Sequence, residues 1–184
     1  VADADEALVG RALASLAGTQ PAWDARGGRE RAAILDAVAD AFEAATEGFV
    51  VRLAREAGKT RMAAIGEVRE AVDFCRYYAA CARSHFAEAL ALPSPTGESN
   101  AHSLHGRGVF ACISPWNFPL AIFTGQIAAA LAAGNTVAAK PAEQTPLTAA
   151  LAVEVMLRAG LPADMIALLP GRGESVGAAL VADP

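Results

Sequence analysis

Gly108-Val109-Phe110-Ala111-Cys112-Ile113-Ser114-Pro115-Trp116-Asn117-Phe118-Pro119 carries an apolar extended segment, residues 108–113, into a turn bracketed by two prolines. Pro115 and Pro119 each fix one φ angle, so the turn is stiff. Beyond the turn, helical and extended segments alternate. Residues 119–133 are apolar and alanine-rich and read as a buried helix ended by Gly134. Residues 135–140 read as a short strand. Thr145-Pro146 opens a helix with a capping hydroxyl and a proline in its first turn, and Gly160 ends it. Residues 165–169 read as a strand, 171–173 as a tight loop and 174–182 as a last helix. This alternation predicts an α/β fold on a parallel sheet.

Upstream, residues 1–92 read as helical. Residues 1–16 form an amphipathic segment, broken by Gly18, Pro21 and Gly27-Gly28. Residues 29–46 place Ile34, Leu35, Val38 and Phe42 on one helix face. Gly48 separates them from residues 49–57, which Gly58 stops as a C-terminal cap. Met62, Ile65, Val68, Val72, Cys75 and Tyr78 mark a stripe running to about Leu90. Pro93-Ser94-Pro95-Thr96-Gly97 breaks the chain. Residues 99–104 read as extended, joined near Gly106 to the segment opening at Gly108. The expected organisation is a helical segment, 1–92, covering one side of a sheet formed within 93–184.

At 54% hydrophobic residues, the 184-residue chain is globular rather than disordered. Its net charge of -5 argues against the basic face that nucleic-acid binding needs. The best membrane candidate, residues 120–133, is too short to span and contains Thr124 and Gln126. The acidic start lacks the basic region of a signal peptide, and the opening Val is expected of an excised segment. Cys75, Cys81 and Cys112 fit free thiols in a reducing compartment, so a cytoplasmic location is expected.

Several motifs admit two readings. Gly171-Arg172-Gly173-Glu174-Ser175-Val176-Gly177 could let a cofactor approach bare backbone, or be an ordinary strand-to-helix turn. Lys140 and Glu143 follow a strand at the sheet edge where ligands bind. They could hold two ribose hydroxyls, a carboxylate there favouring NAD over NADP, or form a surface ion pair. The amide of Asn117 could donate to a developing oxyanion or cap the following helix. Cys112 lies in an apolar strand without a nearby base and reads as a buried hydrophobe rather than a nucleophile. His102 and His105 lack further metal ligands nearby, so no metal is expected. Gly58-Lys59-Thr60 imitates the end of a phosphate-binding loop, but Leu53 stands where that motif needs glycine.

In order and spacing, Pro115-Trp116-Asn117-Phe118-Pro119, Lys140-Pro141-Ala142-Glu143-Gln144-Thr145-Pro146 and the glycine loop resemble the aldehyde dehydrogenase superfamily. Glu67-Val68-Arg69-Glu70-Ala71-Val72-Asp73-Phe74, Arg76-Tyr77-Tyr78-Ala79 and residues 110–144 are similar to the L-glutamate-γ-semialdehyde (1-pyrroline-5-carboxylate) dehydrogenase module of bacterial proline utilization A. The likeness is loose over residues 1–28 and close from there on. It implies the N-terminal part of the aldehyde dehydrogenase fold: a helical segment, then a Rossmann-like sheet forming part of an NAD-binding domain. It also implies NAD-dependent oxidation of L-glutamate γ-semialdehyde to glutamate in proline catabolism, by an enzyme expected to be a homo-oligomer. Asn117 matches the oxyanion-hole amide. Lys140 and Glu143 match the ribose-binding pair, Ile113, Ser114, Pro115 and Trp116 the cofactor-lining turn, and Gly173 and Gly177 the glycines beside the adenine.

In that family a cysteine attacks the aldehyde and a glutamate activates water. Both are expected beyond Pro184, so these residues alone are expected to be inactive and to bind NAD weakly or not at all. FAD is expected only in an upstream proline dehydrogenase domain. The alternative is a non-catalytic assembly module of the same fold or an inactive fragment; intact Asn117, Lys140 and Glu143 speak for the enzyme. A nucleotide-binding domain of unrelated chemistry is a third reading, which the proline-flanked Asn117 disfavours.

Overall fold

A computed structural model describes residues 2–183. The predicted alternation is present as β3 (Val109–Ile113), α5 (Ala121–Ala132), β4 (Thr136–Lys140), α6 (Pro146–Arg158), β5 (Ile166–Leu168) and α7 (Ala178–Ala182). The strands form a parallel sheet in the order β3-β4-β5. Val109 pairs with Thr136 and Ile113 with Lys140, so β3 and β4 end level. β4 is central and buried throughout, which accounts for its run of small and apolar residues. Its side chains alternate between faces. Val137 and Ala139 join the larger core, whereas Ala138 packs with Val9, Leu16, Leu169, Val176 and Leu180.

The helical half comprises α1 (Glu6–Ala25), α2 (Gly27–Ala44), α3 (Thr46–Glu56) and α4 (Arg61–His85). It does not cover a single side. α1 joins α7 on the Ala138 face, while α2, α3 and α4 stack behind α5 and α6 on the other. A parallel sheet buried on both faces needs an apolar cover on each, and the chain divides its helices accordingly.

Three boundaries differ from the sequence reading. α1 runs unbroken through Gly18 and Pro21. Pro21 and Ala17, whose carbonyl loses its helical partner, are both exposed, which leaves that carbonyl open to solvent. Beyond the proline, Trp23 Nε1 donates to Leu131 O at 3.0 Å and holds the helix end against α5. The break between α2 and α3 falls at Ala45, not Gly48. Buried Phe42 and Phe49, with ring centroids 5.0 Å apart, pin both sides of that junction. Gly58, at φ +65°, ends α3 as expected. α4 stops at His85, and Met62 on the predicted stripe is exposed. Leu90 instead opens β1 (Leu90–Leu92), which pairs antiparallel with β2 (Asn100–His102). The Pro93–Gly97 breaker lies in the turn of this ribbon.

Candidate functional site

Three segments meet at the carboxyl edge of the sheet: the turn after β3, residues 140–146 after β4, and the glycine loop after β5. In open parallel sheets this edge is where ligands bind. Ser114 N donates to Lys140 O at 3.1 Å and Leu169 N to Ala139 O at 2.8 Å, which ties the three strand ends together. From α5, Gln126 Nε2 donates to Ile113 O at 3.2 Å. Ser114 is buried with no hydroxyl partner among the described residues, Pro115 is half-buried, and Ile113, Trp116, Asn117 and Phe118 are exposed.

Lys140 and Glu143 form a long ion pair that joins a buried cation to an exposed carboxylate. Lys140 is 3% exposed and donates to Pro141 O at 3.1 Å. Its ammonium lies 3.8 Å from Glu143 Oε2, on a side chain that is 41% exposed. Gly177 packs beside this lysine: a Cβ there would sit 3.5 Å from Lys140 Cε. Gly173 has open space around it. The strongest local demand for glycine is at Gly171, where φ is +147° and a Cβ would lie 2.5 Å from Val176 Cγ2. The predicted helix over 174–182 is a wide π turn, Gly173–Gly177, leading into the short α7. The hydroxyls of Ser114 and Thr145 are buried without partners among the described residues. The exposed Glu143 carboxylate, beside the Lys140 ammonium and the bare backbone of Gly177, is the group at this edge that fits a hydroxyl-bearing ligand such as a ribose.

The helical half holds both helices that start at this edge. Asn117 does not cap α5; Leu120 precedes that helix, and its N–H and that of Ala121 donate to Glu67 Oε1 at 2.8 and 3.2 Å. Glu67 Oε2 lies 2.5 Å from Lys59 Nζ. That ammonium also lies 4.0 Å from the centroid of the Phe118 ring. Thr145 does not cap α6 through its hydroxyl either. Glu56 of α3 accepts from Leu147 N at 2.6 Å and from Thr148 N at 2.7 Å. A carboxylate at a helix N-terminus meets both the free N–H groups and the helix dipole, so it outcompetes a local hydroxyl.

The sequence reading assigns no role to Lys59, Glu67 or Glu56. One signal was present for Glu67: it falls on the buried stripe Ala64, Val68, Ala71, Val72, Cys75 of α4, where a lone carboxylate calls for a partner. Gly58-Lys59-Thr60 serves a purpose other than phosphate binding. Gly58 closes α3, Thr60 Oγ1 accepts from Ala63 N at 3.2 Å to cap α4, and Lys59 between them reaches Glu67.

Cys112 is buried in β3, and burial pushes its thiol up to about 12. Burial also raises Cys75 to about 12, outweighing the opposite pull of Arg76. Neither supplies a thiolate near neutral pH.

Known proteins share this geometry. The chain is 53% identical over 183 residues to the bifunctional protein PutA of Klebsiella aerogenes, covering 100% of this chain and 13% of that protein. It is 38% identical over 184 residues to the 1-pyrroline-5-carboxylate dehydrogenase of Anoxybacillus flavithermus, covering 100% of this chain and 36% of that enzyme. Among solved structures it superposes on a 1-pyrroline-5-carboxylate dehydrogenase from Thermus with bound NAD, with a TM-score of 0.96 and 36% identity, over 100% of this chain and 36% of that one. The chain thus spans well under half the length of these relatives. The sequence model of the aldehyde dehydrogenase family matches residues 1–184, and the chain belongs to that family.

Proposed function

We propose that these residues are the N-terminal portion of an NAD-dependent aldehyde dehydrogenase that oxidises L-glutamate γ-semialdehyde to glutamate in proline catabolism, in the cytoplasm. The observation that carries this reading is the adjacency of the Asn117 turn and Lys140 at one sheet edge, joined by the Ser114 N to Lys140 O bond. Two stretches, 1–92 and 93–184, build one part of the enzyme: the first braces the helices of the second, and the second carries part of the NAD-binding domain. Lys140 and Glu143 would hold the adenosine ribose, Ile113, Ser114, Pro115 and Trp116 would line the cofactor, and Gly173 and Gly177 would lie beside the adenine. When bound, NAD accepts the hydride of the aldehyde. Asn117 would donate its amide N–H to the oxyanion that develops when the aldehyde is attacked, and its exposure leaves that donor available. The exposed β1–β2 ribbon is a surface on which the full enzyme could assemble as a homo-oligomer.

In this reading the nucleophile and general base come from elsewhere in the full enzyme, and Cys112, buried with its thiol raised to about 12, is not the nucleophile. The test is NADH formation from glutamate semialdehyde. The full-length protein carrying this segment should be active, and Asn117→Ala should lower kcat on the order of a hundredfold. Residues 1–184 alone should form no NADH. Unchanged kcat in the Asn117 variant, or turnover by residues 1–184 alone, would overturn the assignment.

A further inference from the structure

We infer that Lys59 and Glu67 act together as positioning residues for Asn117, an inference that rests on Asn117 being the oxyanion donor. Asn117 makes no hydrogen bond among the described residues, so its place is set by what holds the neighbouring chain. Three and four residues on, Glu67 Oε1 takes the N–H groups of Leu120 and Ala121 at 2.8 and 3.2 Å. On the adjoining residue, the Lys59 ammonium lies 4.0 Å from the Phe118 ring centroid. The 2.5 Å contact between Lys59 Nζ and Glu67 Oε2 joins both grips into one unit.

The unit is costly to bury and is therefore informative. The Glu67 side chain is 1% exposed and that of Lys59 is 12% exposed. An ion pair this dry adds little net stability over an apolar pair of equal volume. What it adds is direction, because a carboxylate demands its N–H partners at fixed points and a cation demands the face of the ring. Both members are themselves placed by local structure. The Gly58 turn and the Thr60 cap bracket Lys59, and Glu67 lies in the second turn of α4. The α3–α4 connection and α4 thus converge on the residue after Asn117 and on the start of α5.

The experiment uses the full-length protein. Lys59→Met should lower kcat on the order of ten- to a hundredfold, as small misplacements of a donor do, with KM for NAD moving less than about twofold. Lys59→Arg keeps the charge over the ring and should recover most of the loss. In the Asn117→Ala background, Lys59→Met should add no further loss of kcat, because positioning matters only while the amide is present. Amide exchange over residues 113–124 should rise in Lys59→Met and fall back in Lys59→Arg. If Lys59→Met fails to fold, Lys59→Met/Glu67→Gln removes both charges and takes its place in the same cycle. Losses that multiply with Asn117→Ala, or unchanged kcat in the lysine variants while Asn117→Ala is impaired, would overturn the positioning role alone. Unchanged kcat in Asn117→Ala would overturn the oxyanion reading, and the positioning role with it.

Discussion

Replacing Glu56 by alanine removes the acceptor for the first N–H groups of α6, a carboxylate supplied across 91 residues of sequence. Its two oxygens accept from Leu147 N, Thr148 N and the Thr148 hydroxyl at 2.6, 2.7 and 2.5 Å. A hydrogen bond to a charged group contributes about 1.5–3 kcal/mol, but Leu147 lies at the rim, where water replaces part of the loss. The expected cost of Glu56→Ala is therefore about 2 kcal/mol, the upper end for a lost N-terminal cap. Glu56→Gln keeps an acceptor oxygen but loses the charge, and should cost about half as much. Thr145→Ala, at the position where the sequence predicts a capping hydroxyl, should cost less than about 0.5 kcal/mol, because that buried hydroxyl makes no bond to lose. Native-state hydrogen exchange over residues 146–158 reads the difference directly. About 2 kcal/mol corresponds to exchange roughly 30-fold faster in Glu56→Ala. If Thr145→Ala speeds exchange as much as Glu56→Ala does, α6 is capped locally and the distant carboxylate is not its cap.

Buried groups lead to two more expected outcomes. Iodoacetamide at pH 8 should modify half-buried Cys81 before Cys75 and Cys112, whose thiols are raised to about 12. Because the folded values lie above the ordinary 9.0, the stability these thiols contribute is full below pH 9 and is lost as pH climbs toward 12; rapid labelling of Cys112 near neutral pH would contradict its burial. Gly171→Ala should loosen the loop after β5 by roughly 1–3 kcal/mol, from the positive φ and the contact with Val176, while Gly173→Ala should be nearly neutral; equal effects, read by exchange over residues 169–182, would show that the loop adapts.

Much of the fold was legible because its signals are local. Alternating apolar runs, glycines at 134 and 160, and Pro146 in the first turn of α6 marked the three parallel strands, α5 and α6 within a residue or two. Gly58 stopped α3 for the same reason: a left-handed residue after a helix is a short-range requirement. Pro21 misled, since a proline breaks a helix only where the lost bond cannot be replaced. Gly48 misled because the Phe42–Phe49 contact, a matter of core packing, chose the break.

The sequence by itself determined the order of strands and helices from residue 108 onward, the membership of the family, and the candidate residues Asn117, Lys140 and Glu143. Those depend on residue type and spacing along the chain. Only the tertiary structure decided what holds them. The expected cap at Thr145 and the alternative reading of Asn117 as a cap both yielded to carboxylates from the helical half, because packing α3 and α4 against α6 and α5 brings Glu56 and Glu67 to helix N-termini across gaps of 91 and 53 residues. A buried carboxylate is stable only where N–H groups or a cation meet it. Which groups those are depends on how the helices pack, and no local pattern in the sequence specifies that.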